Sequence, residues 1–186
     1  MADFAQLPDG LTPPIDDGTA DHLLDLTRPS VPLEATDGRR VDLSAIGGRI
    51  VLYVYPMTGK PGVDLPQGWN EMPGARGCTP QSCAFRDHFA ELRALGVDAV
   101  FGLSSQSPAD QREAAERLHL PFALLSDEQG AFRDALKLPA FELGGRAYLK
   151  RTTLIIDDGR IAKVFYPVFP PDRNAADVIA YLAVGR

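Results

Sequence analysis

The chain has 186 residues, 45% of them hydrophobic and 24% charged, the size and balance of one well-buried globular domain. A formal net charge of −6 argues against nucleic acid or an anionic membrane surface as its main partner. No apolar run approaches the roughly 18–20 residues needed to span a bilayer, and the acidic, Pro/Gly-rich start is neither a secretory signal nor a transit peptide. A cytoplasmic location is therefore expected, and in that reducing setting two cysteines are more often catalytic or incidental than a permanent staple.

Residues 1–25 lack sustained periodicity and read as an arm, with a short helical turn near "ADHLLDL", ahead of one domain over 26–186. In "VPLEATDGRRVDLSAI" the Asp37–Gly38 turn separates two alternating segments, a hairpin signal. "RIVLYVYP" (49–56) is a continuous apolar, β-branched and aromatic run, the pattern of a strand covered on both faces. The next stretch, residues 57–77, holds five glycines and three prolines and has neither helical nor strand period. A loop of that length inside a compact domain is expected to cover a site rather than hang free, with Trp69, the only tryptophan, anchoring it.

Thr79-Pro80 fits an N-cap followed by the first helical residue, opening a helix to about Leu95 with Phe85, Phe89 and Leu92 as its buried stripe. "VDAVFGLS" is a second buried strand. Ser107, Pro108 and Asp110 mark another helix start, followed by a short strand in "FALLSD" and a short helix in "EQGAFRDAL". "AYLKRTTLIIDDGRIAKVFYPV" alternates on both sides of Asp158-Gly159, a strong hairpin signal, and Pro170, Pro171 and Asp172 introduce a last helix. The order predicts an α/β fold with a mixed sheet and helices on both faces.

Both cysteines, Cys78 and Cys83, lie in "GARGCTPQSCAFRDHF". On a helix they are turned apart by about 140° and separated by about 7.5 Å along the axis. A disulfide needs Cα atoms within about 6.8 Å and side chains that face each other, so an intact helix forbids the bond and unwinding of its first turns permits it. Cys78 sits where unsatisfied backbone N–H groups and the positive end of the helix dipole converge, and both favour a thiolate, the species that attacks electrophiles. Arg76 adds positive charge nearby. Structural zinc wants four ligands in close pairs, whereas the three histidines (His22, His88 and His119) are scattered. His88 is ten residues along the helix from Cys78, about 15 Å away, too far to activate the thiol as in a Cys–His hydrolase. His119 and His22 stay open for that role. The C-x-x-C of a dithiol reductase is absent.

"YPMTG…PGARGCTPQSCAFRD", "LLSDEQGAF" and "KRTTLIIDDGRI" together resemble a peroxiredoxin, most of all the Q type, also called bacterioferritin-comigratory protein. The resemblance covers roughly residues 30–184. It implies a thioredoxin-like fold, a central mixed sheet with helices on both faces, and reduction of hydrogen peroxide and organic hydroperoxides without metal or other cofactor. By the same resemblance Cys78 is the peroxidatic cysteine, Cys83 the resolving cysteine and Arg151 the arginine that holds thiolate and peroxide. Pro56 is the proline that shields the site. The implied cycle passes through a Cys78 sulfenic acid and a Cys78–Cys83 disulfide, recycled by thioredoxin or a similar dithiol, and the resemblance leans to a monomer while leaving a dimer open. Other readings are a one-cysteine cycle resolved by an external thiol and a redox sensor of the same fold. One departure stands out: the Thr or Ser usual three residues before the peroxidatic cysteine is Ala75 here. Thr58 is the nearest replacement for its hydroxyl and Thr79 a weaker one.

Overall fold

The structure, a computed structural model, describes residue 7 and residues 10–185. Parts of the expected arm, residues 1–6 and 8–9, lie outside the described residues. The fold is organised around β3 (Arg49–Val54). Strand alternation sends Ile50, Leu52 and Val54 into one apolar cluster and Val51 and Tyr53 into another, and all five are fully buried. A strand buried on both faces belongs inside a sheet, and β3 is flanked by β4 (Ala99–Ser104), which is parallel, and β8 (Thr152–Asp157), which is antiparallel.

The full order of this seven-stranded mixed sheet is β2-β1-β5-β4-β3-β8-β9, with β1 at Pro32–Ala35, β2 at Arg40–Asp42, β5 at Leu124–Ser126 and β9 at Arg160–Phe165. One face packs on α4 (Ala131–Leu136) through Phe132 and Leu136. The other packs on α1 (Cys78–Asp87), α2 (Phe89–Ala94), α3 (Pro108–Arg117) and α5 (Asn174–Val184) through Phe85, Leu92, Ala114 and Val178. Helices thus cover both faces, as expected. The α3 start is also as read: Ser107 Oγ accepts from Asp110 N at 3.2 Å and donates to its carboxylate at 2.9 Å. The arm is not free, since Leu23 is fully buried in the first cluster and Asp17 pairs with Lys150 at 2.5 Å.

Three local features differ from the sequence-based expectation. First, Thr79 is not the N-cap of the helix. Gly77 is the cap, at φ 98°, and Cys78 is already helical. A left-handed residue at that point turns the chain into the helix earlier than a Thr79 cap would, and glycine adopts it without strain. Second, the single helix to Leu95 is two helices, broken at His88. Third, the long alternating run through residues 147–157 is interrupted at Lys150 and Arg151. Its first part, β7 (Arg146–Leu149), pairs with β6 (Ala140–Leu143) in a separate hairpin, and its second part is β8 in the main sheet.

That extra hairpin explains the long loop. Trp69 is 2% exposed and packs edge-on to Tyr148 and tilted to Phe141, with ring centroids 4.9 and 6.0 Å apart. Ala75, Met57, Leu65 and Met72 complete a small third core. A fully buried aromatic of this size stabilises by about 2–3 kcal/mol, enough to fix a glycine-rich segment that has no secondary structure of its own. The loop therefore has a core and is not a floppy insertion.

Gly77 is the residue on which the helix entry turns, and a Cβ there would run into Pro171 as well as forcing a side chain into the left-handed region. Gly77→Ala is expected to lower stability by about 1–3 kcal/mol, read as a reduced midpoint in urea unfolding.

Candidate active site

Cys78 is the first residue of α1 and is 3% exposed. Its Sγ has two polar neighbours: the carbonyl of Ala75 at 3.5 Å and the Arg151 Nη2 at 3.3 Å. Arg151 itself is 3% exposed, so it is not an edge residue whose head reaches solvent. It immediately precedes β8, and strand parity aims residues 151, 153 and 155 toward the α1 and α5 side of the sheet. The same parity puts Thr153 Oγ1 2.7 Å from Asn174 Oδ1 and buries Ile155 in the second cluster.

A buried guanidinium is costly unless its donors are matched, and here most are. Nη1 donates to Gln81 Oε1, and Nη2 donates to the carbonyls of Arg76 at 2.9 Å and Gly74 at 3.3 Å as well as facing the sulfur. Gln81 is in turn held by Asn174, whose Oδ1 accepts from Gln81 Nε2 at 2.9 Å. The guanidinium is therefore positioned by the helix that carries Cys78, by the loop before it and, through Gln81, by the first residue of α5. Gln81, Thr153 and Asn174 were not picked out from the sequence. Gln81 lies three residues after Cys78, but only the folded packing of α1 on α5 brings Asn174 to it.

The thiol faces a small pocket of about 20 Å³ lined by Met57, Leu65, Trp69, Ala75 and Thr79 among others. That is room for one small polar molecule. The loop over 57–77 thus closes the site, and Trp69 is both its anchor and part of the pocket wall. Pro56 is buried directly before the loop. Thr58, by contrast, donates from Oγ1 to Gln106 Oε1 at 3.1 Å. Its neighbours Met57 and Gly59 line the thiol pocket, and Thr58 does not.

Cys83 is on the same helix, partly buried, and both cysteines are free thiols. Burial pushes the Cys83 thiol up from its ordinary value, an effect that Arg86 and Arg117 oppose but do not cancel. The histidines are elsewhere: His22 bonds the Leu136 carbonyl at 2.9 Å, His88 pairs with Glu91 at 3.1 Å, and His119 is exposed just beyond α3. A hydrolase dyad with Cys78 has no support in these placements. Arg76, expected to add charge at the thiol, bonds Asn70 Oδ1 at 2.6 Å through its side chain while its carbonyl accepts from Arg151.

The Redoxin family model matches residues 19–179. Peroxiredoxin Q of Sedum lineare is 31% identical over 157 residues, 84% of this chain and 75% of that protein. Peroxiredoxin Q of Oryza sativa subsp. japonica is 32% identical over 155 residues; the match takes in 83% of this chain and only 64% of the longer rice protein. Both relatives are described as chloroplastic. Among solved structures, peroxidoxin BcpB from Mycobacterium tuberculosis superposes with a TM-score of 0.71 at 28% identity, covering 88% of this chain and 97% of that one. Among the described residues no helix is long and apolar enough to cross a membrane.

Because burial disfavours the Cys83 thiolate, alkylation of Cys83 by iodoacetamide in a Cys78→Ser variant is expected to rise with pH around a midpoint above that of an ordinary exposed thiol. The pH profile should move down toward the ordinary value once the protein is unfolded in urea.

Proposed function

This chain belongs to the Redoxin family and, within it, to the Q-type peroxiredoxins, and on that footing we propose that it is a thiol-dependent peroxidase. The reading is carried by one observation: a buried Arg151 guanidinium 3.3 Å from the Cys78 sulfur at the start of a helix. A fixed positive charge at the start of a helix stabilises negative charge moving onto a leaving oxygen, without reorganisation at the moment of reaction.

In the proposed cycle the Cys78 thiolate attacks the distal peroxide oxygen. The S–O bond forms as the O–O bond breaks, the hydroxyl unit ends on sulfur as a sulfenic acid, and the other oxygen leaves as hydroxide or alkoxide and takes a proton from solvent. The first turns of α1 then unwind, which releases Gln81 from Arg151 and brings Cys83 out of its partly buried position. Its thiolate attacks the Cys78 sulfur, the S–S bond forms, and hydroxide leaves as water after protonation. Thioredoxin or a similar dithiol restores both thiols by exchange, with the monomer as the working unit in a reducing compartment such as the cytosol. Pro56 shields the site, and Thr58, through Gln106, holds the start of the covering loop. The small pocket favours hydrogen peroxide, while an organic hydroperoxide needs Leu65 or Met57 to give way.

One equivalent of hydrogen peroxide should convert the reduced protein to a form 2 Da lighter, with a Cys78–Cys83 disulfide in the peptide map. A persistent sulfenic acid with Cys83 still reduced would sink the two-cysteine cycle, and slow oxidation without turnover in the presence of a dithiol reductant would favour a sensor. Arg151→Met is expected to slow the reaction of Cys78 with peroxide by about 10²–10³-fold in stopped-flow measurements that follow Trp69 fluorescence.

A further inference from the structure

Among the polar residues that line the pocket on Cys78, Thr79 is one that the proposed cycle does not yet use. Thr79 is 3% exposed, and its Oγ1 is buried with no hydrogen-bond partner among the described residues. A threonine inside a helix normally returns its hydroxyl to the carbonyl three or four residues earlier. For Thr79 those carbonyls belong to Arg76 and Ala75, which lie before the helix begins and accept instead from Arg151 Nη2 at 2.9 Å and from Cys78 Sγ at 3.5 Å. Thr79 is also one of the residues that line, together with Cys78, the cavity of about 20 Å³. A buried hydroxyl without a partner in a site that admits one small polar molecule is a group waiting for that molecule.

We infer that Thr79 is a catalytic residue of this enzyme, its hydroxyl hydrogen-bonding the peroxide in the pocket on Cys78. The inference rests on the peroxidase reading and deepens it. Ala75 stands where the sequence resemblance places a hydroxyl, and Thr58, the replacement nearest in the chain, donates its own to Gln106. Thr79 supplies the group from the other side of the cysteine, one residue after it on the first turn of α1. As the Cys78 sulfur bonds to the distal oxygen and the O–O bond breaks, Thr79 Oγ–H donates to the oxygen that takes up the charge, beside the Arg151 guanidinium. That oxygen leaves with a solvent proton, and Thr79 keeps its own.

The test compares wild type, Thr79→Val, Thr79→Ser and Thr58→Val in single-turnover reaction with hydrogen peroxide. Alkylation of Cys78 by iodoacetamide, which has no leaving oxygen, serves as the parallel probe. Thr79→Val is expected to slow the peroxide reaction about 10²-fold while leaving alkylation within about twofold of wild type. Thr79→Ser should restore most of the loss, and Thr58→Val should lose less than Thr79→Val. The inference is overturned if Thr79→Val reacts with peroxide like wild type, if it loses peroxide reaction and alkylation together, or if Thr58→Val carries the large loss instead. Should Thr79→Val fail to fold, Thr79→Ala and Thr58→Val decide the matter by the same criteria. A wild-type protein that does not react with peroxide at all removes the peroxidase reading itself, an outcome separate from any difference among the variants.

Discussion

The structure depends on placing a charged guanidinium inside a dry site next to a sulfur. Moving such a group out of water costs several kcal/mol unless its donors find acceptors, so the surroundings of Arg151 must be built with care. Two carbonyls from residues 74 and 76, the Gln81 side chain and the Cys78 sulfur serve its two terminal nitrogens, while Nε is buried with no partner among the described residues. Each comes from a different requirement of the chain: the loop must approach closely, the helix must begin at Cys78, and α5 must press Asn174 against Gln81. The main sheet aims the arginine, but the helix and loop keep it there.

The same contacts make the site dependent on the first turns of α1. Gln81 lies between the two cysteines, and its oxygen holds Arg151. An unwinding that joins the cysteines therefore also dismantles the arginine's support, so the intact site and the disulfide exclude each other. The partial burial of Cys83 works in the same direction, because it disfavours the ionised thiol while the helix is intact. Helix geometry alone already separates the two sulfurs, and the hydrogen-bond network adds a stake in the folded arrangement.

The insertion over residues 57–77 shows how a segment without regular structure can be ordered by side chains. Its backbone has many glycines and no ladder to join, yet Trp69 finds Tyr148 and Phe141 on a hairpin nearly eighty residues further along the chain. That docking closes the thiol pocket to about 20 Å³ and sets what can enter. The hairpin exists because the run through residues 147–157 breaks at Lys150 and Arg151, where Lys150 N bonds the Pro139 carbonyl at 2.8 Å and Arg151 turns inward. Pattern alone reads that run as one strand because both halves alternate in the same phase.

Much was written locally. The buried run at 49–56, the Ser107–Pro108–Asp110 helix start, the turn at Asp158-Gly159 and the opposed placement of Cys78 and Cys83 follow from short-range periodicity and capping, which act within a few residues. The family, too, was legible in the motif around the cysteines. What tertiary structure alone decided is which polar groups meet: Gln81 with Asn174, Arg151 with two loop carbonyls, Thr58 with Gln106, and a buried Thr79 hydroxyl with no partner among the described residues. The helix start moved from Thr79 to Gly77 for a related reason, since Gly77 fits under Pro171 of a distant turn where no side chain could. Hydrogen bonds reach only about 3 Å, so their pairing is settled by the packing of elements far apart in sequence, and local pattern carries no record of it.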